Sequence, residues 1–278
     1  IPNEFQTFGK YNIGITAGLE MTACPPGWLE GMNKMNMNIV PSTFVKDMLT
    51  NIKFDINNEQ DGKKVGELKS DKPIEVLFEG TDTNIFKKTN EFSKEFVDEM
   101  KKVKESFNFL YVGHWLQGDL GKDRKDTGMM LKVFLETFKN LKQKPGLIMK
   151  TSGATYSVID RETMLNKIQI IKDMVKGDLP NIYLLHGDFD DEEMNQIYNH
   201  PKVKAHINLT HGEGFGRPLL EASISQKPVI ATNWSGHLDF LNKNLAVLVG
   251  GGLQNVEKGS VPDEFLTEGA QWFTVNCQ

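Results

Sequence analysis

The sequence predicts an α/β protein built around a doubly wound parallel sheet. Five short apolar runs lack the polar alternation of a half-exposed strand, as expected of strands that are buried on both faces of a parallel sheet. Stretches with helical spacing of apolar residues separate most of these runs, and such alternation is typical of a doubly wound fold. The five runs are residues 109–113, 146–150, 181–187, 205–209 and 228–232.

The helical stretches each carry an apolar face. In residues 127–140, Phe134 and Phe138 lie four positions apart, which places them on one side of a helix. Residues 160–176 repeat this spacing. A further helix is predicted to begin at residues 190–193, because four carboxylates suit the positive end of a helix dipole. Three predicted helices therefore separate the first four apolar runs.

The first hundred residues predict a smaller and incomplete α/β region. Ser42 is a suitable N-cap for a short helix. The polar residues 51–72 are predicted to include a surface loop, and the charged residues 87–106 predict an exposed connection. Two or three βα units are too few for a Rossmann domain of about six strands. We therefore predict a partial amino-terminal domain over residues 1–90 and a fuller domain over residues 107–278. The strands predicted before residue 90 are 11–16, 38–40 and 74–78.

The composition is that of an ordinary globular protein, with 39% hydrophobic and 25% charged residues among 278. A net charge of −5 argues against a nucleic-acid partner, which needs a concentrated basic face. No run approaches the roughly 20 apolar residues of a membrane helix. The distant Cys24 and Cys277 predict free thiols in a reducing cytoplasm. His200, His206 and His211 lack metal-ligand spacing, so we expect no bound metal.

The run at residues 211–222 gives the clearest chemical signal. It follows the apolar run that ends at Leu209, and ligands of open α/β sheets bind beyond the carboxyl ends of the strands. Gly212, Gly214 and Gly216 would let the backbone approach a ligand without obstruction by a Cβ atom. The proline that follows suits the first turn of a helix, and the free N–H groups of that turn form an anion site.

Two carboxylates accompany this predicted helix start. Glu213 lies in the loop and Glu221 lies about one turn into the helix, so both could face the crevice. A carboxylate accepts two hydroxyl hydrogens, which suits a ribose or a hexose. The run therefore predicts an anion site with groups for sugar hydroxyls on either side.

The whole run resembles the Glu-any-seven-Glu motif of retaining GT-B glycosyltransferases. Residues 227–232 also resemble the continuation of that motif, and residues 78–86 resemble the segment that closes the amino-terminal domain of the family. Residues 109–134 resemble the first strand and helix of its donor domain. The resemblance thus extends over nearly all of the chain. The matching motif residues are Glu213, Gly214, Phe215, Gly216, Pro218, Glu221 and Ala222.

The resemblance implies a donor site and roles for its residues. Lys125 falls at the family's lysine that contacts the donor diphosphate, and a fixed cation there would stabilise the charge that the leaving group gains. His114 stands where the family has an arginine, and Arg124, or less favourably Lys122, would supply the missing charge. The implied catalytic residues are Lys125, Arg124 and Glu213. The implied donor-binding residues are Gly113, His114, Gly214, Phe215, Gly216, Glu221, Ser235 and Gly236.

The reaction implied by the resemblance is the transfer of a hexose from a nucleotide diphosphate sugar to an acceptor hydroxyl, with retention. Glu213 would bind the sugar hydroxyls and Glu221 the ribose. Neither a metal nor a cofactor other than the donor is expected. Family members extend beyond this sequence in both directions, so we expect a chain truncated at both ends. The sequence predicts neither the acceptor nor the oligomeric state.

Three alternatives remain beside this interpretation. A GT-B nucleotide-sugar epimerase would share the donor site. A non-catalytic nucleotide- or sugar-binding module would keep the site and lack the chemistry. A nicotinamide-dependent oxidoreductase is disfavoured, because residues 113–118 do not form the Gly-any-Gly-any-any-Gly turn that should follow the first strand.

Overall fold

Three short parallel strands form the sheet of the amino-terminal part. In the computed structural model, which describes residues 1–153 and 155–276, this part contains five strands and two α-helices. They are β1 (Ile13–Ile15), α1 (Pro26–Asn33), β2 (Met37–Val40), α2 (Thr43–Asn51), β3 (Lys53–Asn57), β4 (Lys64–Lys69) and β5 (Ile74–Val76). The parallel sheet has the order β1–β2–β5, so the three predicted strands are confirmed. β1 and β5 are shorter than predicted, and β2 begins one residue earlier.

The helix predicted to begin after Ser42 is confirmed as α2. The Val45 N–H donates to Ser42 Oγ at 3.3 Å, as an N-cap requires. Residues 51–72 include the predicted surface loop as the exposed turn at residues 58–63, but the antiparallel hairpin of β3 and β4 that this turn connects was not predicted. Phe54 and Leu68 face each other across that hairpin and pack against the core. The other hairpin side chains are mostly exposed, and their polarity hid the strands.

The larger part of the chain is built on a six-stranded parallel sheet. Its strands have the order β11–β10–β9–β6–β7–β8, and all five predicted apolar runs are confirmed as members. The elements after the small sheet are α3 (Lys94–Met100), β6 (Asn108–His114), α4 (Thr127–Phe138), β7 (Gly146–Ser152), α5 (Val158–Met174), β8 (Ile182–Leu185), α6 (Asp191–Asn199), β9 (Val203–Asn208), α7 (Arg217–Ile224), β10 (Val229–Thr232), β11 (Ala246–Val249), β12 (Gly251–Asn255) and β13 (Gln271–Val275).

The strand order reverses direction between β6 and β9. The chain moves outward from β6 through β7 to β8, and then returns to β9 and moves outward on the other side. Apolar side chains from α4 and α5 cover one region of the sheet, and those from α6 and α7 cover another. The loops that leave β6 and β9 meet at the carboxyl ends of these strands, where the His211 N–H donates to the Arg124 carbonyl at 3.3 Å. This edge is the usual ligand position in open α/β sheets.

The end of the chain packs against its beginning. The antiparallel hairpin of β12 and β13 was not predicted. Trp272 and Val256 lie in the same buried cluster as Trp28 of α1. The Thr22 N–H donates to the Gln271 carbonyl at 2.8 Å. A hydrophobic core thus joins residues from both predicted domains, and the division at residues 1–90 and 107–278 stays a prediction.

The structure bears on three features noted in the sequence: membrane helices, metal-binding side chains and the two cysteines. Within residues 1–153 and 155–276, no helix is both long and apolar enough to cross a membrane, and no cluster of His, Cys, Asp or Glu has the arrangement of a metal site. Cys24 is a free thiol, and burial raises its pKa to about 12. Cys277 lies outside the described residues.

Candidate functional site

A small cavity lies at the carboxyl ends of β6 and β7, beside the reversal of strand order. Its volume is about 260 Å³. The ends of these two strands, the loop before α4 and the start of α7 all contribute walls, because parallel strands bring their following loops to one edge. The lining residues are Val112, Gly113, His114, Arg124, Lys125, Lys150, Thr151, Ser152, Tyr156, Glu213 and Pro218.

Lys125 and Glu213 form a buried ion pair in the wall of this cavity. The Lys125 ammonium donates to Glu213 Oε2 at 2.6 Å, and Asn208 Nδ2 lies 3.5 Å from the other carboxylate oxygen. Burial alone would raise the pKa of Glu213, but Lys125 and Arg124 hold that pKa below its ordinary value. Glu213 is therefore ionised at neutral pH, and the pair presents a fixed cation beside a hydrogen-bond acceptor.

Arg124 connects the cavity with the amino-terminal part of the chain. Its guanidinium donates to Glu20 Oε1. Glu20 was not identified from the sequence. Burial acts to lower the pKa of Arg124, but Glu20 and Glu213 together raise it above its ordinary value. The guanidinium is therefore charged at every physiological pH, and it adds a second cation beside that of Lys125.

Lys150 supplies a third cation on the β7 side of the cavity. Its ammonium lies 5.3 Å from the centre of the Tyr156 ring and 5.2 Å from that of Phe189, within the range of cation–π attraction. Burial lowers its pKa, and Asp188 opposes that shift. No sequence pattern singled out Tyr156.

His114 stands in the same wall as an uncharged base. Its Nδ1 lies 3.2 Å from Ser152 Oγ. Burial lowers the pKa of His114 below its ordinary value of 6.5, and the nearby Lys150, Arg124 and Lys125 lower it further. The imidazole is therefore neutral at pH 7. Three cations and one carboxylate remain, so the charged groups of the cavity carry a net positive charge.

Thr151, in the wall of this cavity, carries a buried hydroxyl without a hydrogen-bond partner. The residue is 1% exposed, and its Oγ1 has no hydrogen-bond partner. A buried hydroxyl without a partner costs free energy, on the order of 1–3 kcal/mol. Because Thr151 also lines the cavity, a ligand there could supply the missing hydrogen bond.

Ser235 and Gly236, which were predicted to bind the donor, hold the loop between β9 and α7 in place. The Glu213 N–H donates to Ser235 Oγ at 2.8 Å, and the Gly236 N–H donates to the Glu213 carbonyl at 2.9 Å. A Cβ on Gly236 would lie 2.1 Å from the Gly214 carbonyl oxygen. Ser235 and Gly236 therefore position Glu213 in this structure, and neither lines the small cavity.

Two of the three glycines in this loop adjoin the amino-terminal part of the chain. A Cβ on Gly212 would lie 2.8 Å from Glu20 Cβ, and one on Gly214 would lie 2.6 Å from the Ala17 carbonyl oxygen. These two glycines therefore admit the loop of the amino-terminal part, and their approach to a ligand stays a prediction. Gly216 is the N-cap of α7 with φ of 97°, a left-handed conformation that favours glycine.

Phe215 and Glu221 are both turned to internal partners. Phe215 is buried and packs with Phe78 and Phe240, at ring-centre distances of 6.1 and 5.1 Å. Glu221 accepts from the Tyr198 hydroxyl at 3.0 Å. Its other oxygen accepts from the Arg217 guanidinium at 3.2 Å. Glu221 does not line the small cavity, and its contact with a ribose stays a prediction.

Asp126 provides a test of electrostatics next to the site. It is buried, its Oδ1 has no hydrogen-bond partner, and that atom lies 3.9 Å from His211 Nε2. Burial, reinforced by Asp123, raises the pKa of Asp126 to about 7. The unfolded value is about 3.9, so the folded chain binds the extra proton between these two values. The free energy of unfolding should therefore fall as pH rises from about 4 to 7.

The variant Asp126→Asn should flatten that pH dependence. Asparagine tolerates the left-handed φ of 49° at this position, but it cannot ionise. The slope removed should approach about 1.4 kcal/mol per pH unit at its steepest, so the variant should be the more stable protein above pH 7. Urea unfolding at pH 5 and pH 8 measures this, with the exposed Asp119→Asn as control. An unchanged slope in Asp126→Asn would contradict the assignment.

Comparisons with known proteins bear on the fold of the chain. No family model and no curated protein matches this sequence, but solved structures resemble it. Sucrose-phosphate synthase from Thermosynechococcus elongatus matches with a TM-score of 0.54 and 16% identity, over 81% of this chain and 47% of that one. Anabaena HepE, in complex with UDP and glucose, matches with a TM-score of 0.54 and 14% identity, over 86% and 57%.

A third solved structure gives the same result. The UDP-forming alpha,alpha-trehalose-phosphate synthase from Burkholderia xenovorans, in complex with glucose-6-phosphate, matches with a TM-score of 0.56 and 12% identity, over 81% of this chain and 52% of that one. The chain spans about half the length of these proteins. At such identities the likeness establishes the fold: an α/β structure with the Rossmann-type parallel sheet of GT-B glycosyltransferases.

Proposed function

We propose that the small cavity binds the diphosphate of a nucleotide sugar, and that the chain contributes this donor site to a metal-independent, retaining glycosyltransferase. The observation that carries the proposal is the convergence of Arg124, Lys125 and Lys150 on a cavity at the topological switch point. Fixed cations in a partly dry cavity suit a ligand with two phosphate groups. The unpartnered hydroxyl of Thr151 adds a donor for one of its oxygens.

The proposed reaction needs charge stabilisation at the leaving group. The acceptor oxygen forms a bond to the anomeric carbon of the hexose on the face from which the diphosphate departs. The bond between that carbon and the diphosphate oxygen breaks, and its electron pair stays with the diphosphate. The acceptor proton passes to the released diphosphate. Lys125 and Arg124 would stabilise the charge that develops there, which is the task of preorganised cations in such transfers.

The two glutamates would act on the donor in different ways. Glu213 lines the cavity beside Lys125, so its carboxylate would accept hydrogens from the hexose hydroxyls. Glu221 would bind the ribose after exchanging its contacts with Tyr198 and Arg217 for the ribose hydroxyls. This exchange is plausible in energy, because hydroxyl donors would replace the two donors that it loses. Ser235 and Gly236 would keep the Glu213 backbone in position.

The first test is nucleotide binding. Calorimetry with UDP, GDP and ADP should show binding of at least one of them. UDP is the first choice, because HepE binds UDP and the trehalose-phosphate synthase is named as UDP-forming. Sugar release or transfer from the matching nucleotide sugar then tests catalysis, and the anomeric configuration of the product tests retention. Failure of all three nucleotides would refute the donor site.

Thr151→Val offers a sharper test of where the nucleotide binds. Valine has nearly the same shape but no hydroxyl, so the free protein should be at least as stable as the parent. Nucleotide affinity should fall about tenfold, the value of roughly one hydrogen bond to a charged group. Thr232→Val is the matched control. Thr232 also ends a strand with a buried hydroxyl that lacks a partner, but it does not line this cavity. Equal effects of both variants would contradict the assignment.

A further inference from the structure

A second and larger cavity lies between the amino-terminal part and the six-stranded sheet. Its volume is about 730 Å³, against about 260 Å³ for the small cavity. The loop after β1 forms one wall, and the ends of β6 and β7 with helix α5 form the other. Arg124 lines both cavities, so a group bound at that end of the large cavity would adjoin a ligand in the small one.

The walls of the large cavity are predominantly apolar and include large aromatic rings. They come from segments far apart in the sequence, and most of these side chains are buried in the two flanking cores. The main apolar contributors are Trp28, Trp115, Phe265, Met21, Met164 and Val261. When apolar ligand atoms cover such a surface, water is released from both. The gain in binding free energy is roughly 25 cal/mol per Å² of apolar surface removed from water.

Two charged side chains in these walls, those of Lys167 and Asp160, are already engaged within the protein. Lys167 donates to the carbonyl oxygens of Trp115 at 3.1 Å and Leu116 at 2.8 Å. Asp160 accepts from the Gly153 N–H at 3.0 Å. It also lies 2.7 Å from Nε2 of His186. A bare sugar bound there would lose hydrogen bonds to water without replacement, and each loss is costly.

The polar groups nearest the small cavity are the exception. Arg124 and Glu20 pair at the end where the two cavities meet, and Glu20 has a second carboxylate oxygen. A hydroxyl at this end would find a charged donor and a charged acceptor, while the rest of its molecule would contact apolar walls. Size, polarity and position together therefore describe one type of ligand.

We infer that the acceptor of this site is an amphiphile, in which a hydroxyl-bearing head lies at Arg124 and Glu20 and an apolar body fills the large cavity. The role of this amphiphile as an acceptor rests on the proposed function, whereas its binding in the large cavity does not. Transfer would join the head hydroxyl to the hexose by the bond exchange given above. A free monosaccharide or a short polar oligosaccharide would be a poor acceptor.

The inference can be tested with two glucosides that share one head. Octyl β-D-glucopyranoside, kept below its micelle concentration, should bind in calorimetry, whereas methyl β-D-glucopyranoside should bind at least about tenfold more weakly, since it lacks most of the apolar chain. With the nucleotide sugar identified by the donor test, the octyl compound should also be the better transfer acceptor. Equal binding of the two glucosides would overturn the inference.

A cavity-filling variant locates the binding. Thr163→Trp places an indole at the exposed edge of the cavity on α5 and should weaken octyl glucoside binding at least about tenfold, while nucleotide binding stays as in the parent protein. Glu162→Trp, one residue earlier, is the control, because Glu162 is exposed but does not line the cavity. Unchanged octyl glucoside binding in Thr163→Trp would also overturn the inference.

A second pair of variants guards against a folding defect. Leu116→Asp puts a charge in the cavity wall, and Leu165→Asp puts one outside it; both leucines are 37% exposed. Only the first should weaken octyl glucoside binding, and equal weakening would count against the inference. If octyl glucoside binds as expected but no nucleotide does, the proposed function fails and the amphiphile site stands. If a nucleotide binds and octyl glucoside does not, the amphiphile site is refuted and the proposed donor site stands.

Discussion

The substitution Lys125→Met is expected to lower the turnover of sugar transfer about 10²- to 10³-fold, the usual effect of removing one preorganised charge-stabilising group. Methionine keeps most of the length of the lysine side chain but cannot donate to the diphosphate. Affinity for the nucleoside diphosphate should fall as well, because the product already carries the charge that Lys125 stabilises. Steady-state kinetics with the nucleotide sugar, and calorimetry with the nucleoside diphosphate, measure the two effects.

Stability must be separated from chemistry in this variant. Loss of Lys125 leaves the carboxylate of Glu213 buried without its partner, which costs about 3–5 kcal/mol when an ion pair is fully buried. The double variant Lys125→Met with Glu213→Gln removes both charges and should recover much of that stability while transfer stays low. Lys132→Met is the control, since Lys132 pairs with Glu136 at the surface. Normal turnover in Lys125→Met would exclude its leaving-group role.

The second large effect is expected for Gly236→Ala. The added Cβ would lie 2.1 Å from the Gly214 carbonyl oxygen and 2.7 Å from that of Glu213, and both contacts are with backbone that has little room to move. Overpacking of this kind costs about 1–3 kcal/mol or somewhat more. The displaced loop would also carry Glu213 away from Lys125. Chemical denaturation and nucleotide calorimetry should therefore both show losses.

The chain offers a matched control for this glycine. Gly252 lies in β12 and has no atom within 4 Å of the position of a Cβ, so Gly252→Ala should change neither the unfolding free energy nor nucleotide affinity by a measurable amount. If Gly236→Ala kept full nucleotide affinity, the contact between residues 236 and 213 would not be needed to hold the site. A loss confined to Gly236→Ala supports the positioning role.

Local patterns predicted most of the larger sheet and part of the small one. The apolar runs that became β6 and β7 were visible because a strand buried on both faces excludes polar residues. The hairpin of β3 and β4 escaped notice, since only Phe54 and Leu68 face the core there. The final hairpin of β12 and β13 was also missed. Its buried side chains pack against residues at the opposite end of the chain, and a local sequence pattern does not show such contacts.

Within the candidate site, the sequence indicated Lys125, Glu213 and Arg124 through a motif and its neighbourhood, and the structure brings these three side chains to one cavity. It gave no reason to single out Tyr156 or the unpartnered hydroxyl of Thr151. Whether a threonine hydroxyl finds a partner depends on every neighbour in three dimensions, and residue type alone does not specify this.

By itself, the sequence determined the alternation of strands and helices and the glycine-rich loop that follows β9. Only the tertiary structure decided that Gly212 and Gly214 receive the loop of residues 17–20, and that Glu20 pairs with Arg124 across 104 positions of sequence. The physical reason is one of range. Burial periodicity and turn conformation depend on neighbouring residues, whereas close backbone approach and ion pairing depend on how distant segments pack together.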